Sequence, residues 1–595
     1  MYKLILFLQV IILIGSSISY QSDNVWYCRD DHYCLPLRNN NEQSTVQTFQ
    51  NQNICRLMCG KFGGLWPKPT LKCNLEKSTV GVNAELIRFE YPQSDDVMRE
   101  YLNEVSFLFL KNINDECGNI CNSPSDTEMF IHLSISELSS LKLTHDTDES
   151  YQLNISTSDN KINAHISSNT VFGTRHGLET LAQLMVKIVD DKQRNGLVTV
   201  SSAEISDKPY YKHRGLLLDT ARHFIPIETI LKVLDGMSVN KMNVFHWHIT
   251  DSQSFPMEIT RVPQMHLNGA FSSDKVYSQR QINDIVKYAK YRGIRVIFEL
   301  DAPAHAGHGW EWGKKEGLGN LAVCVDNQPW RKSCIQPNCG QLNPANDNLY
   351  SVLRDIYQDI RDYKEKGEFF HMGGDEVFMA CWNNSKEITD YMQSNGYALT
   401  TEGFLDLWSE FQRKALDAFD SISDEKIPMV LWSSELTLPN NIDKYLPKNR
   451  YIIQTWLPDT SDVPEKLLKK GYRLIMSTKN AWYFDHGFWG ITQYYSWKKV
   501  YANTLPRHPL VLGGEVCMWS EYCDEHSVEF KIFPRLNAAA ERLWTNPATD
   551  LKSAEPRFNR QRERIIARGI KTDATIPEYC ALFEARALAF KLSHK

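Results

Sequence analysis

The sequence has little to attract a polyanion. Acidic residues outnumber basic ones, 72 to 66, for a net charge of −6. That balance gives no electrostatic case for nucleic acid or an anionic membrane as a partner. Long apolar runs are scarce too. Beyond the N-terminus no stretch is long and apolar enough to span a bilayer, and no internal repeat or low-complexity segment interrupts the chain. What is left is ordinary globular composition, 42% hydrophobic and 23% charged over 595 residues. A chain of that length predicts more than one domain.

The N-terminus carries Lys3, an apolar run from Leu4 to Ile14, then Gly15-Ser16-Ser17-Ile18-Ser19. This reads as a secretory signal peptide over residues 1–19; as a membrane anchor the run is too short. Export suits the 14 cysteines, seven of them between Cys28 and Cys121, which predict a disulfide-stapled leading segment over residues 20–125. Zinc at Cys55-x-x-x-Cys59 or Cys117-x-x-x-Cys121 fits an exported chain poorly. Cys334 and Cys339 are spaced to close a small loop, and Cys324 with Cys381 is a further candidate; spacing alone leaves the pairing open. Asn154-Ile155-Ser156 and Asn383-Asn384-Ser385 are glycosylation sequons at Asn154 and Asn383. The expected destination is extracellular, with the lysosome as the alternative.

From Met129 the pattern changes. Phe130–Ile135, Tyr151–Ile155 and Ile162–Ile166 alternate apolar and polar, as strands with one wet face do. A helix is expected from about Thr174 to Val189. Together they predict a small α+β domain over residues 126–207, with Asp207-Lys208-Pro209 as the boundary. Residues 208–595 then alternate eight apolar strands with helices. The strands are expected at Arg214–Leu218, Met242–Ile249, Ile294–Leu300, Glu368–Met372, Pro428–Trp432, Tyr451–Trp456, Tyr472–Met476 and Pro509–Leu512. Helical patterns run over Ile227–Met237, Gln281–Tyr291, Leu349–Tyr363, Thr401–Phe419 and Val463–Lys470. Eight β-α repeats predict an α/β fold, a (β/α)8 TIM barrel, with its active site at the C-terminal strand ends.

Those ends carry Asp219 with Arg222, Asp251, His305, Asp375-Glu376, Trp432, Trp456, Tyr483 with Asp485, and Trp519 with Glu521. Acids among tryptophans suit a sugar, whose apolar faces lie on aromatic rings while its hydroxyls need charged partners. Taken alone, Asp375-Glu376 also reads as acids at a helix start. In a cleft, neighbouring carboxylates tend to split their pKa values, one suited to act as an acid beside a fixed anion. Being consecutive, the two are poorly placed to straddle a glycosidic bond. The nucleophile must then come from elsewhere, and a 2-acetamido group on the substrate can supply it.

His371-Met372-Gly373-Gly374-Asp375-Glu376 resembles the signature of family 20 glycoside hydrolases, the β-N-acetylhexosaminidases. Arg214–His223, Phe245–Asp251 and Gly513–Glu521 resemble the family's first, second and eighth barrel strands. The resemblance runs from about residue 75 to the C-terminus. The cysteine-rich start and the loop Cys324–Cys339 look most like the arthropod members that cleave chitooligosaccharides. It implies Glu376 as general acid/base, Asp375 as the partner of the acetamido N–H, and Tyr483 as the donor to the acetamido oxygen. Trp432, Trp456 and Trp519 would box the acetamido methyl. Arg222, Asp485 and Glu521 would bind ring hydroxyls, and Trp497 would stack a further sugar. Asp251 and His305 would stand behind Glu376 and tune it, and Ile335 and Gln336 would lie on the leaving-group side. The implied activity is exo-cleavage of terminal N-acetylglucosamine, or N-acetylgalactosamine, with retention and an oxazolinium intermediate. It needs no cofactor and no metal. The partner is an oligosaccharide, and a homodimer is expected by resemblance.

Alternatives stay open. An N-glycan-processing or lysosomal glycoconjugate hexosaminidase would share these residues. An inactive sugar-binding barrel would have no need of a Glu376 acid. In an endo-acting enzyme the cleft would not be closed by Arg222 and Glu521. A metallohydrolase could draw on His246-x-His248, Asp251 and His305.

Overall fold

A computed structural model describes residues 25–37, 47–118, 125–188, 196–423, 425–485 and 493–578. The expected signal peptide lies outside these residues. The leading hairpin, Trp26–Arg29 with Tyr33–Pro36, is pinned to helix Gln52–Met58 by Cys28–Cys59 and Cys34–Cys55. Cys55 and Cys59 are thereby taken as disulfides and not as a zinc pair. Cys324–Cys381 and Cys334–Cys339 also form.

A six-stranded mixed sheet follows, in spatial order Lys72–Leu75, Ala203–Asp207, Tyr151–Ser158, Lys161–Ser168, Glu128–Ile135 and Ile87–Glu90. Tyr151–Ser158 alternates buried and exposed residues along most of its length, because one face packs on helices and the other meets water. Two of the six strands come from upstream of residue 126, so the sheet begins earlier than the alternation suggests. Both are four-residue edge strands, too short to show a period. Helix Asp96–Cys117 precedes the central strands, and the expected helix after them runs Val171–Gln183, capped by Thr170.

Eight parallel strands then close into a barrel. They are His213–Asp219, Val244–His248, Arg295–Glu299, Phe370–His371, Met429–Trp432, Tyr451–Thr455, Arg473–Met476 and Val511–Met518. All eight fall where the apolar runs are, but the last continues six residues past Leu512. Its glycines disguise it. Gly513 has φ 150°, and a Cβ there would lie 1.9 Å from the His213 carbonyl oxygen, so glycine lets the last strand meet the first. The helices between the strands carry their own start signals, such as the Ser278/Gln281 capping box before Gln279–Tyr291 and the Thr400 cap before Thr401–Asp420. Among the described residues no helix is long and apolar enough to cross a membrane.

The sheet and the barrel share a buried polar seam at the bottom of the barrel. Arg214, on the first barrel strand, meets Glu149 at 2.6 and 3.0 Å, and His176 meets the same carboxylate at 2.9 Å. Lys241 reaches Asp207 at 3.2 Å. Trp544, from helix Arg535–Thr545, donates its indole N–H to Asp207 at 3.0 Å. The Arg214 guanidinium and the Lys241 ammonium lie 4.9 and 4.6 Å from the Trp544 ring centroid. All these groups are buried, so each charge depends on its partner across the seam.

Candidate active site at the barrel mouth

The fourth strand delivers the carboxylate pair. Its glycines, Gly373 and Gly374, have φ of 62° and 87°, and they turn the chain so that Asp375 and Glu376 enter the mouth. The Gly374 N–H donates to Asp301 Oδ1 at 3.0 Å. Glu376 and His305 are themselves left-handed, with φ of 49° and 53°. For non-glycine residues this conformation costs on the order of 1–3 kcal/mol, a strain typical of functional sites.

Behind Glu376 the polar groups form a line. Glu376 Oε2 lies 3.5 Å from His305 Nε2 and accepts from the Gln336 amide at 3.3 Å. His305 Nδ1 lies 3.3 Å from Asp251 Oδ2, and Arg222 Nη2 meets the same oxygen at 2.7 Å. Burial opposes charge on His305, but Asp251 and Asp301 outweigh it and hold the ring charged well above the usual histidine range. Burial pushes the Glu376 carboxyl up, but His305 and Gln336 together draw it below its usual value. The Asp375 carboxyl moves the other way: burial raises it to about 6, His305 opposes, and Glu376 and Glu299 add to the rise. The consecutive carboxylates therefore titrate apart.

The aromatic wall comes from the last four strands. Trp432, Trp456, Tyr483 and Trp519 gather with Leu217 and Cys517 in one apolar cluster. The Trp432 and Trp519 rings are 5.9 Å apart, and Tyr483 and Trp519 6.3 Å. The indole N–H of Trp456 is spent on the Ser433 carbonyl at 2.7 Å. Tyr483 is close enough to Asp375 for the carboxylate to add to the rise that burial imposes on the phenol. Asp485 is pushed up to about 7 by burial and by Glu521, while burial raises Glu521 against the pull of Arg222.

Among the buried polar atoms here without a hydrogen-bond partner among the described residues are Arg222 Nε, Asp375 Oδ1 and Asp485 Oδ1. Leaving a buried donor or acceptor unmade costs about 1–3 kcal/mol each, so all three call for a ligand rich in donors and acceptors.

Trp497 does not join the cluster, and its expected stacking role is corrected. It opens helix Trp497–Ala502, is 6% exposed, and stacks on Phe558 with ring centroids 4.2 Å apart. With one face covered by Phe558 it belongs to the core. Asn154 and Asn383 are both exposed. His246 and His248, weighed above as metal ligands, each face two carboxylates. His246 lies between Glu515 at 2.6 Å and Glu299 at 3.0 Å, and His248 between Glu299 at 2.6 Å and Asp251 at 3.2 Å. Burial opposes charge on both rings, but the carboxylates outweigh it, raising His246 to about 9 and His248 well above its usual range. His246 Nδ1 and both nitrogens of His248 are thereby engaged with carboxylates as donors of a charged ring. Glu299 went unsingled in the sequence; its signal was a carboxylate at the end of the apolar run Arg295–Glu299.

The family model described as "Glycosyl hydrolase family 20, catalytic domain" matches residues 211–547, and the model "beta-acetyl hexosaminidase like" matches residues 65–184. The chain is 39% identical to a chitooligosaccharidolytic beta-N-acetylglucosaminidase of Bombyx mori, over 96% of this chain and 97% of that one. A protein of the same description from Ostrinia furnacalis is also 39% identical, over 93% and 94%. The beta-hexosaminidase subunit beta of Homo sapiens is 33% identical over 73% of each chain. Among solved structures, a Flavobacterium johnsoniae chitobiase has the same fold, with a TM-score of 0.67 and 24% identity over 85% of this chain and 73% of that chain.

Proposed function

The chain belongs to glycosyl hydrolase family 20, as a glycoside hydrolase of the β-N-acetylhexosaminidase type, and from that premise we propose how its mouth works and on what. The substrate is a chitooligosaccharide, from whose non-reducing end one N-acetylglucosamine is released. Two near-full-length relatives bear that substrate in their names.

Glu376 gives its proton to the glycosidic oxygen. The acetamido carbonyl oxygen attacks the anomeric carbon as the C–O bond breaks, leaving an oxazolinium ion and a free alcohol. Water then attacks the anomeric carbon, Glu376 takes the water's proton, and the ring opens with net retention. Asp375, as the anion, accepts from the acetamido N–H and offsets the positive charge on the oxazolinium. Tyr483 donates to the acetamido oxygen. Trp432, Trp456 and Trp519 enclose the methyl, while Arg222, Asp485 and Glu521 bind ring hydroxyls and close the cleft on the exo side. Before substrate binds, the proton rests on His305 and not on Glu376. A sugar that excludes water and parts the carboxylate from Gln336 favours the neutral acid.

One observation carries this reading. A buried carboxylate oxygen, Asp375 Oδ1, has no hydrogen-bond partner among the described residues, and its carboxylate is within electrostatic reach of Tyr483, a member of the aromatic cluster. A group with an N–H on one side and a methyl on the other satisfies both. The test compares 4-nitrophenyl glycosides bearing a 2-acetamido or a plain 2-hydroxyl group, and chitooligosaccharides with N-glycan termini, by kcat/KM. Only the acetamido sugars should turn over. Glu376→Gln should lose about 10²–10⁴-fold on chitooligosaccharides, and Asp375→Asn should slow even the activated aryl glycoside. Equal cleavage of the 2-hydroxyl glycoside would refute the mechanism. Preference for N-glycan termini would refute the substrate.

Four further parts belong to the proposal. The expected division into residues 126–207 and 208–595 becomes an α+β unit that also takes in strands Lys72–Leu75 and Ile87–Glu90, followed by a catalytic barrel. The protein is exported, supported by its disulfides and the apolar N-terminus. Asn154 and Asn383 carry glycans. The homodimer expected by resemblance is to be read by light scattering.

A further inference from the structure

Glu299 ends the third barrel strand, is fully buried, and takes no part in the steps above. Its two oxygens serve different neighbours. Oε1 accepts from the Trp432 indole N–H at 2.7 Å, on the fifth strand. Oε2 accepts from His248 Nδ1 at 2.6 Å, on the second. His248 hands the contact on, since its Nε2 lies 3.2 Å from Asp251 Oδ2, the oxygen that also faces His305 and Arg222. One carboxylate therefore holds the aromatic wall with one oxygen, and with the other the far end of the line leading to Glu376.

Two further histidines lie against this carboxylate without taking either bond: His246 Nε2 is 3.0 Å from Oε2 but lacks hydrogen-bond geometry. His371 Nδ1 is 3.3 Å from Oε1 but accepts the Gly373 N–H at 3.0 Å, so it presents a lone pair. His246, charged between Glu299 and Glu515, adds a second positive charge beside Oε2. Hydrogen bonds to a charged group in a dry interior are strong and directional. An indole with a single donor, tied to a fixed acceptor, has its ring plane set.

Building on the functional reading above, we propose that Glu299 is a positioning residue for the reaction. It sets the Trp432 indole plane against the acetamido group. Through His248 and Asp251 it fixes the imidazole that faces Glu376.

The test uses the full chain and two readouts that do not depend on the active fraction. The first is the Kd of a 2-acetamido thiazoline sugar, a mimic of the oxazolinium that probes the wall. The second is the ratio of kcat/KM for chitobiose to that for the 4-nitrophenyl glycoside, which probes the acid, because only chitobiose needs full protonation on leaving. Glu299→Gln should weaken thiazoline binding about tenfold and lower the ratio about tenfold, the size expected for one charged hydrogen bond lost on each arm. His248→Gln should lower only the ratio, and Trp432→Phe should weaken only the inhibitor. A Glu299→Gln enzyme whose two rates fall by a common factor, with Kd and ratio unchanged, would show a merely structural role and overturn the proposal. If that variant yields no folded protein by circular dichroism, Glu299→Asp keeps the charge but shortens its reach, and should move both readouts in the same directions. Parental values in both would equally overturn it. A parent enzyme that fails to bind the thiazoline sinks the functional reading instead, before any variant is made.

Discussion

Replacing Gly373 with alanine forces two conflicts at once. The residue has φ 62°, and a Cβ there would fall 1.7 Å from Asp301 Oδ1 and 2.5 Å from Asp301 Cα. Swinging the Asp301 side chain relieves the first clash but not the second, which is with backbone. The swing would also take Oδ1 from the Gly374 N–H it accepts. The left-handed conformation costs about 1 kcal/mol, overpacking about 1–3, and an unpaired buried N–H about 1–3 more. The total is on the order of 3–7 kcal/mol, a large share of the roughly 5–15 that holds a typical protein folded. Gly396→Ala is the control. Its φ is 76°, and nothing lies within 4 Å of its Cβ position, so it meets only the cost of about 1 kcal/mol. Both variants are measured by the guanidinium midpoint of tryptophan fluorescence and by kcat/KM on the 4-nitrophenyl glycoside. Gly396→Ala should keep its rate. Gly373→Ala should lose several times more stability and about a hundredfold in rate, because the carboxylate pair shifts by a large fraction of an ångström. If the two variants behave alike in both assays, the reasoning about this turn is wrong.

Asp375 should trade stability for activity. Its folded-state value of about 6 lies above the ordinary 3.8, so its contribution is fully present below the unfolded pKa and is lost as pH rises through about 6. Asp375→Asn, which cannot ionise, should be more stable than the parent at pH 7 by up to ~3 kcal/mol, with the gain gone below pH ~4; a gain of equal size at both pH values would contradict the burial argument. Opening the Cys334–Cys339 loop with two serines frees the segment that carries Gln336, so KM for chitooligosaccharides should rise while the aryl glycoside is little affected. Equal effects on both substrates would detach that loop from the leaving-group side. Activity should survive prolonged EDTA dialysis, since His246 and His248 are held as donors; loss of activity that zinc restores would overturn that reading.

The barrel was legible because its strands are buried on both sides, which leaves unbroken apolar runs from Leu216 to Ile475. The mouth was legible for a related reason, since a polar residue ending such a run has nowhere to go but the opening. The errors share a cause in residues whose partners are distant in sequence. Trp497 stands near Asp485 along the chain, yet its neighbour is Phe558 on the last described helix, and no local pattern announces that. Glu299 acquires its meaning from Trp432 and His248 on other strands. The early strands Lys72–Leu75 and Ile87–Glu90 are defined by pairing with segments more than 40 residues away or more than 120, which short edge sequences do not encode.

The charged seam beneath the barrel bears on how this molecule can be dismantled. A barrel excised at Tyr210 would keep Arg214 and Lys241 in dry surroundings and lose Glu149 and Asp207, and breaking one such pair costs about 3–5 kcal/mol. The upstream sheet is then no detachable appendage that can be trimmed away or transplanted onto another scaffold. It is a counter-ion for the catalytic half, and any graft would have to carry Arg214, Lys241 and Trp544 along with it.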